Sequence, residues 1–258
     1  MKKPVIIIGL GEMGSVFARG FLKAGHPVIP VIRSEPIVEA ANLYPDPELV
    51  LVAVGEKDLP ATLEQLPDAW RDRIVLLQNE LLPKDWQDKG LQNPTVISAW
   101  FEKKPGMDYK VLVPSPVHGP KAGLIQQALA TLDIPVEVIE SDDDMLFELV
   151  RKNMYILTTN ICGLETGGSV KQLWDEHSIL MNRVFDDVLA LQEKLSGRDF
   201  DRDKLLSAVL AAFEGDPDHQ CMGRSAPDRL KRALTIAAQF GLACSELQRI
   251  AKEHGEKN

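Results

Sequence analysis

The residues near the start of this sequence that are best suited to binding chemistry are three glycines. Gly9, Gly11 and Gly14 follow the apolar run Val5–Ile8 and precede a helical pattern, so a G-x-G-x-x-G spacing joins a strand to a helix. Such glycines permit a tight turn, let the backbone approach a pyrophosphate and point the free N–H groups of the helix start towards it. We therefore predict a dinucleotide-binding loop made of Gly9, Leu10, Gly11, Glu12, Met13 and Gly14. The alternative is a glycine turn that binds no ligand.

The residues after the second apolar run indicate which dinucleotide the loop prefers. Arg33 stands about 20 residues after Gly14 and is followed by Ser34. In this type of fold an acidic residue at that distance binds the ribose hydroxyls of NAD, whereas an arginine accommodates the 2′-phosphate of NADP. The sequence thus favours NADP(H), and the nearby Glu35 leaves NAD(H) as the alternative.

Composition and charge exclude several other classes of protein. The 258 residues are 45% hydrophobic and 26% charged, which is typical of a soluble globular chain. The net charge of -9 argues against nucleic acid or an anionic membrane as the main partner, so an anionic ligand needs a local positive site. The apolar run Val5–Ile8 is too short for a signal peptide, and no later run is long enough to span a membrane. We expect a cytoplasmic protein that acts on a small molecule.

The cysteines and histidines give no indication of a metal centre. Cys162, Cys221 and Cys244 are too few and too irregularly spaced for a disulfide framework or a structural zinc site. The five histidines show no spacing typical of metal ligands. We therefore predict that the protein binds no metal.

The pattern of elements divides the chain into two domains. Up to residue 141, short runs rich in valine and isoleucine alternate with helical patterns, which predicts a Rossmann-type parallel sheet covered on both faces. The predicted strands are Val5–Ile8, Val28–Ile32, Leu49–Val54, Ile74–Leu77, Thr95–Ala99, Lys110–Val113 and Val136–Ile139. From residue 142 to 258 helical periodicity takes over, which predicts an all-α domain. Its predicted helices are Asp143–Leu164, Ser178–Leu195, Arg202–Phe213, Pro227–Phe240 and Cys244–His254. The fold class is therefore α/β, with an NADP-binding domain over 1–141 and a helical substrate and dimerisation domain over 142–258.

Taken together, the glycine loop, the Arg33-Ser34 pair and the domain pattern resemble the 6-phosphogluconate and β-hydroxyacid dehydrogenase superfamily. Within it, the ketopantoate reductases are the most similar group. Gln78-Asn79-Glu80 after a predicted strand is similar to the family's Q-N-G, Phe147–Leu164 resembles the helix that bears the catalytic lysine, and Gln220-Cys221-Met222 resembles an S-S-M turn. The resemblance implies an NADPH-dependent reduction of ketopantoate (2-dehydropantoate) to pantoate in pantothenate biosynthesis, and a homodimer.

The resemblance also implies roles for individual residues. Asn79 is expected at the nicotinamide and the substrate, Val54 in the cofactor loop, Lys152 as the catalytic residue, and Asn160 and Cys221 at the substrate. Reduction of a ketone leaves an alkoxide, which needs a proton donor and a positive charge beside it, and a lysine supplies both. Lys152 and Asn160 are eight residues apart, which is about 12 Å along a helix and roughly on one face.

Four positions depart from the family pattern, so the resemblance does not determine the identity of the substrate. Ile156 stands where the family has an asparagine, Ala233 where it has a glutamate, and Cys221 where it has a serine. Gly55 replaces a lysine that is common in the cofactor loop, and Lys57 is the nearest substitute. Cys221 is alternatively a small packed residue. Two other functions therefore stay open, a non-catalytic dinucleotide-binding protein and a β-hydroxyacid or imine reductase of the wider superfamily.

Overall fold

In the computed structural model, which describes residues 2–255, the valine- and isoleucine-rich runs of the first half form one seven-stranded sheet. In chain order the strands are β1 (Val5–Ile8), β2 (Val28–Val31), β3 (Leu49–Val52), β4 (Ile74–Leu76), β5 (Thr95–Ile97), β6 (Phe101–Glu102), β7 (Lys110–Val111), β8 (Ser115–His118) and β9 (Val136–Val138). The sheet has the order β2-β1-β3-β4-β5-β8-β9, and its pairs are parallel except for β5 with β8. The predicted Rossmann-type sheet is confirmed.

One predicted strand of this sheet was wrong. The segment predicted as Lys110–Val113 pairs antiparallel with β6 in a separate two-stranded sheet, and β8 takes its place in the main sheet. Proline lacks the N–H that a central strand uses, so Pro116 makes β8 atypical of such a strand. The carbonyl of Pro116 nevertheless accepts a 2.9 Å hydrogen bond from the N–H of Ser98 on the neighbouring chain segment.

Both faces of the sheet are buried at its centre, which explains why β1, β3 and β4 are apolar throughout. On β1, Ile6 and Ile8 belong to one core and Val5 and Ile7 to the other, because successive side chains of a strand point to opposite faces. The helices of this part are α1 (Glu12–Lys23), α2 (Ile37–Leu43), α3 (Leu59–Glu64), α4 (Pro83–Gln87) and α5 (Ala122–Ala130). Helices α2, α3 and α4 cover one face, and α1 and α5 cover the other.

The chain divides into two compact units, Met1–Leu149 and Val150–Asn258. The division falls within α6 (Asp142–Thr166), eight residues later than the boundary expected after residue 141. Met145 and Leu149 on the first turns of α6 are buried in a core of the sheet, so these turns belong with the first unit. A change from strand to helix in the sequence therefore does not mark the end of the first core.

The second unit is built from helices, as predicted. After α6 it contains α7 (Val170–Ser196), α8 (Arg202–Gly215), α9 (Ala226–Phe240) and α10 (Ser245–Gly255). The predicted helix Ser178–Leu195 corresponds to the part of α7 that follows an interruption at His177, where φ is -129°. The turns before this interruption start at a capping box in which Ser169 and Gln172 bond each other's backbone N–H groups. No helix within residues 2–255 has the length and apolar character needed to cross a membrane.

Candidate functional site

The glycine loop lies at the carboxyl end of β1, where the strand order of the sheet reverses. β2 and β3 flank β1 on opposite sides, and α/β sheets bind ligands at the carboxyl ends of strands beside such a reversal. Gly9 has a φ of +92°, and a Cβ on it would lie 2.7 Å from the carbonyl oxygen of Ala53. A Cβ on Gly14 would overlap the carbonyl oxygen of Gly9. Glycine is thus required at both positions for the loop and α1 to approach the sheet.

Gly11 has the opposite environment, because an added Cβ there would meet no atom within 4 Å. Gly11 is the N-cap of α1, and no side chain caps this helix end with a hydrogen bond. The first N–H groups of a helix lack intrahelical acceptors, and the helix dipole makes this end positive. The open space and the N–H groups together fit the pyrophosphate of a dinucleotide.

The other residues of the loop differ in their surroundings. Leu10 is exposed, and Met13 packs against the core formed by α1 and α5. Glu12 begins α1, and its carboxylate forms an ion pair of 2.7 Å with the Nζ of Lys103. The ion pair of Glu12 and Lys103 therefore lies beside the glycine loop, at the start of α1.

Arg33 and Ser34 lie in an exposed turn after β2. The Arg33 side chain is 93% exposed, and its Nη2 lies 3.4 Å from Oδ2 of Asp58. The Glu35 carboxylate accepts a 3.0 Å hydrogen bond from the backbone N–H of Ile32, so it stabilises this turn. Asp58 is therefore the group with which an anionic ligand would compete for Arg33.

Val54 and Asn79 lie just beyond the carboxyl ends of β3 and β4. The side-chain amide of Asn79 donates a 3.2 Å hydrogen bond to the Glu56 carboxylate. The buried amide of Gln78 donates to the carbonyls of Val52 at 2.7 Å and Val54 at 3.2 Å. Gln78 thereby fixes the two strand ends relative to each other, and the predicted cofactor residues come from adjacent strands at one edge of the sheet.

Lys152 lies on α6 in the second unit, close to the ring of Tyr155. Its Nζ is 5.9 Å from the ring centroid of Tyr155. The Tyr155 ring packs edge-on against Phe213 at 5.5 Å and lies 6.0 Å from the His219 ring. An ammonium group over an aromatic face interacts favourably with the ring quadrupole, so Tyr155 is a partner of the Lys152 side chain.

Asn160, two turns after Lys152 on α6, contacts a buried arginine. The Nη1 of Arg229 on α9 donates a 2.8 Å hydrogen bond to the Oδ1 of Asn160, and both residues are 9% exposed. Since arginine stays protonated in proteins, this pair places a positive charge in the interior of the second unit. Asn160 and Arg229 thus form a polar centre that the sequence analysis identified only in part.

Three of the four positions that depart from the family pattern are apolar and buried in the second unit. Ile156 and Ala233 belong to its core, and Cys221 is fully buried. A Cβ on Gly163 would lie 3.0 Å from the Cβ of Cys221, so Cys221 packs closely on α6. Burial raises the pKa of the Cys221 thiol to about 12. These observations fit the alternative of a small packed residue, and the substrate contact of Cys221 stays a prediction.

Sequence reasoning missed Gln78, Lys103 and Arg229 as parts of these sites. The sequence could have identified Gln78, since a polar residue directly after an apolar strand lies at the edge of a parallel sheet where ligands bind. The sequence gives no such indication for Lys103 and Arg229, because each forms its hydrogen bond with a residue far away in the sequence. In the part of the chain that the structure describes, no group of three or more His, Cys, Asp or Glu side chains is arranged to hold a metal ion.

Comparison with known proteins identifies the fold. No family model and no curated protein sequence matches the chain. Among solved structures, 2-dehydropantoate 2-reductase from Methylococcus capsulatus superposes with a TM-score of 0.71, over 96% of this chain and 94% of that chain, at 15% identity. The chain has the fold of the ketopantoate reductases.

Two further structures share this fold. D-mandelate dehydrogenase with NADH and anilino(oxo)acetate has a TM-score of 0.67 and 13% identity, and the match covers 98% of each chain. The dimeric ketopantoate reductase from Staphylococcus aureus has a TM-score of 0.62 and 16% identity, again over 98% of each chain. The ketopantoate reductase fold therefore accommodates this chain over nearly its whole length.

Proposed function

We propose that the protein is an NAD(P)H-dependent oxidoreductase that reduces the ketone of a small 2-oxo acid. The observation that carries this proposal is the glycine loop, which is open at Gly11 and closed to any side chain at Gly9 and Gly14, at the reversal of the sheet. The fold adds support, because one protein that shares it is a 2-dehydropantoate reductase and another is a dehydrogenase described with NADH.

We assign the cofactor contacts to the first unit. The backbone N–H groups from Gly11 to Gly14 would hold the pyrophosphate, with a reduced nicotinamide supplying the hydride when bound. Arg33 and Ser34 would bind the 2′-phosphate, so we propose NADP(H) as the preferred cofactor and NAD(H) as the alternative. Asn79 and Val54 would contact the nicotinamide end.

We assign the proton transfer to Lys152. Its ammonium group would donate a proton to the ketone oxygen as negative charge develops there, and would stabilise that charge. Asn160 would orient the substrate with the side-chain N–H that does not donate to Thr159, because its oxygen already accepts a hydrogen bond from Arg229. The proposal does not use Cys221.

The finer assignment is 2-dehydropantoate as substrate, in pantothenate biosynthesis in the cytoplasm. It rests on the resemblance alone, and the buried Ile156 and Ala233 provide no polar side chain for that substrate at these positions. Other small 2-oxo acids are therefore part of the same proposal. A homodimer is proposed from the dimeric ketopantoate reductase of Staphylococcus aureus that shares the fold.

A second candidate is a dinucleotide-binding protein without catalytic activity. One observation favours it: three positions at which the family carries polar groups, Ile156, Cys221 and Ala233, are apolar and buried here. Each hydrogen bond that is lost weakens substrate binding by about 1 kcal/mol, and by more when one of the groups is charged. This candidate predicts that NADPH binds and is not oxidised.

A substrate panel separates the two candidates. Purified protein is incubated with NADPH or NADH and with 2-oxo acids that include 2-dehydropantoate, and cofactor oxidation is followed. We expect oxidation with at least one acid, and a kcat lower by about 10²-fold or more for Lys152→Met, because general acid catalysis is lost. The matched control is Lys171→Met, since Lys171 is an exposed lysine paired with Asp175. No oxidation with any acid, or full activity of Lys152→Met, would contradict the proposed mechanism.

A further inference from the structure

The glycine loop contains a carboxylate on the side where the proposed function requires phosphates. Glu12 is the first residue of α1 and lies between Gly11 and Gly14. Side chains of a helix tilt towards its N-terminus, so the Glu12 carboxylate lies close to the approach of a pyrophosphate. A negative charge at this end stabilises the helix dipole, but it repels a phosphate and competes for the same N–H groups. Binding of a dinucleotide to this loop therefore requires a compensating cation.

Lys103 is in the position to supply that cation. Its Nζ lies 2.7 Å from the Oε2 of Glu12, and the two side chains are 20% and 40% exposed. Lys103 directly follows β6, whose Phe101 ring packs on Phe17 of α1 with the ring centroids 5.9 Å apart. Phe101 is buried, so the packing of β6 on α1 fixes the position of the Lys103 backbone beside the start of α1.

The neighbouring lysine shows that this placement is specific to Lys103. The Nζ of Lys104 lies 2.9 Å from Oε1 of Glu102, and its side chain is 57% exposed. Lys104 thus forms a local surface pair, whereas Lys103 connects to a residue 91 positions away at the opening of the loop. Two adjacent lysines with different partners provide a matched comparison.

We propose that Lys103 is a phosphate-binding residue of the dinucleotide site, with its ammonium group shared between Glu12 and a pyrophosphate oxygen. This inference rests on the proposed dinucleotide binding. An ammonium group has three donors, so it keeps its bond to Glu12 while it donates another to a phosphate. The backbone N–H groups of the loop bind the remaining phosphate oxygens.

Calorimetric titration with ADP-ribose tests the proposal without turnover, because this probe has the pyrophosphate and lacks the nicotinamide. We expect Lys103→Gln to raise the Kd for ADP-ribose by about 10-fold, because one charge-assisted hydrogen bond is lost. Lys103→Arg keeps the positive charge and should retain most of the affinity. Lys104→Gln is the control and stays within about twofold of the wild-type Kd. Equal losses for Lys103→Gln and Lys103→Arg would indicate a structural role and overturn the proposal.

A double-mutant cycle separates phosphate binding from simple neutralisation of Glu12. We expect Glu12→Gln to bind ADP-ribose more tightly than wild type, and Glu12→Gln with Lys103→Gln to bind more weakly than Glu12→Gln alone. If the double variant binds as tightly as Glu12→Gln, Lys103 only neutralises Glu12 and the proposal is overturned. If wild type binds neither ADP-ribose nor NADPH, the proposed function itself is overturned, and this inference with it.

Discussion

The guanidinium of Arg229 donates a 2.8 Å hydrogen bond to the side-chain oxygen of Asn160, and both residues are nine-tenths buried in the second unit. A buried charge is stable only when its donors are satisfied, and the Asn160 oxygen satisfies one donor of Arg229. In return Arg229 fixes the orientation of the Asn160 amide. The bond thereby connects α9 to the helix that carries Lys152.

Removal of the Asn160 side chain should destabilise the second unit. Asn160→Ala leaves the buried guanidinium of Arg229 short of one acceptor, which costs about 1–3 kcal/mol in the free energy of unfolding. Urea unfolding measures this change. Arg224→Ala is the control, because Arg224 is exposed in the segment before α9 and should change stability by about 0.5 kcal/mol or less. Equal stability of Asn160→Ala and wild type would show that this hydrogen bond is dispensable.

Two glycines of the loop should respond differently to the same substitution. Gly14→Ala forces a Cβ into the carbonyl of Gly9, so we expect a loss of about 1–3 kcal/mol of stability. Gly11→Ala meets no atom within 4 Å, so its cost is only that of alanine at a helix N-cap, about 1 kcal/mol or less. Its methyl group nevertheless occupies the space for the pyrophosphate. Urea unfolding and calorimetry with NADPH check both parts, and wild-type affinity of Gly11→Ala would contradict the placement of the phosphates.

Arg33 should determine discrimination between the two cofactors. Arg33→Ala removes the cation proposed for the 2′-phosphate, so the Kd for NADPH should rise about 10-fold while that for NADH changes about twofold or less. Asp58→Asn removes the carboxylate 3.4 Å from Arg33 and should tighten NADPH binding. The pair is exposed, so neither variant should unfold the protein. Parallel changes for NADPH and NADH would show that Arg33 does not contact the 2′-phosphate.

The buried cysteines should make the protein less stable at alkaline pH. Burial raises the pKa of Cys221 to about 12 and that of Cys244 to about 11, from an ordinary value of 9.0, and it also raises the pKa of Cys162. The thiols stay protonated in the folded state, whereas the unfolded state loses these protons above about pH 9. Their contribution to stability is therefore complete below about pH 9 and is lost as the pH rises towards about 12.

Thiol labelling checks this account of the cysteines. At about pH 8 the folded protein should react slowly with a thiol reagent, and the thiols should react rapidly in urea, because only exposed thiolates are reactive. Urea unfolding of Cys221→Ala should show a smaller loss of stability between about pH 9 and 11 than wild type. Rapid labelling of Cys221 in the folded protein would contradict its burial.

The sequence predicted those features that depend on local periodicity. Strand β1, the glycine loop and the helical second half were predicted because apolar repeats and glycine spacing are short-range signals. Strand β8 was missed because Pro116 is atypical of a central strand. The packing of Met145 and Leu149 on the sheet, which places the first turns of α6 with the first unit, has no signal in the local periodicity.

The sequence could not predict the two charged residues Lys103, at the glycine loop, and Arg229, beside Asn160, for a different reason. Lys103 contacts Glu12 across 91 positions, and Arg229 contacts Asn160 across 69. A charged residue in an exposed turn or an amphipathic helix is usually solvated, and its sequence context does not reveal a distant partner. Only the packing of β6 on α1, and of α9 beside α6, brings these groups together.

Deuterium transfer from the cofactor to the substrate is a direct test of the proposed reduction. The protein is incubated with NADPH deuterated at both hydrogens of the nicotinamide C4 and with the 2-oxo acid panel, and the products are analysed by mass spectrometry. We expect wild type to form a 2-hydroxy acid that carries one deuterium at C2, and Lys152→Met to form it at least about 10²-fold more slowly. Tight binding of NADPH without any deuterated 2-hydroxy acid would contradict the proposed reductase and favour a non-catalytic dinucleotide-binding protein.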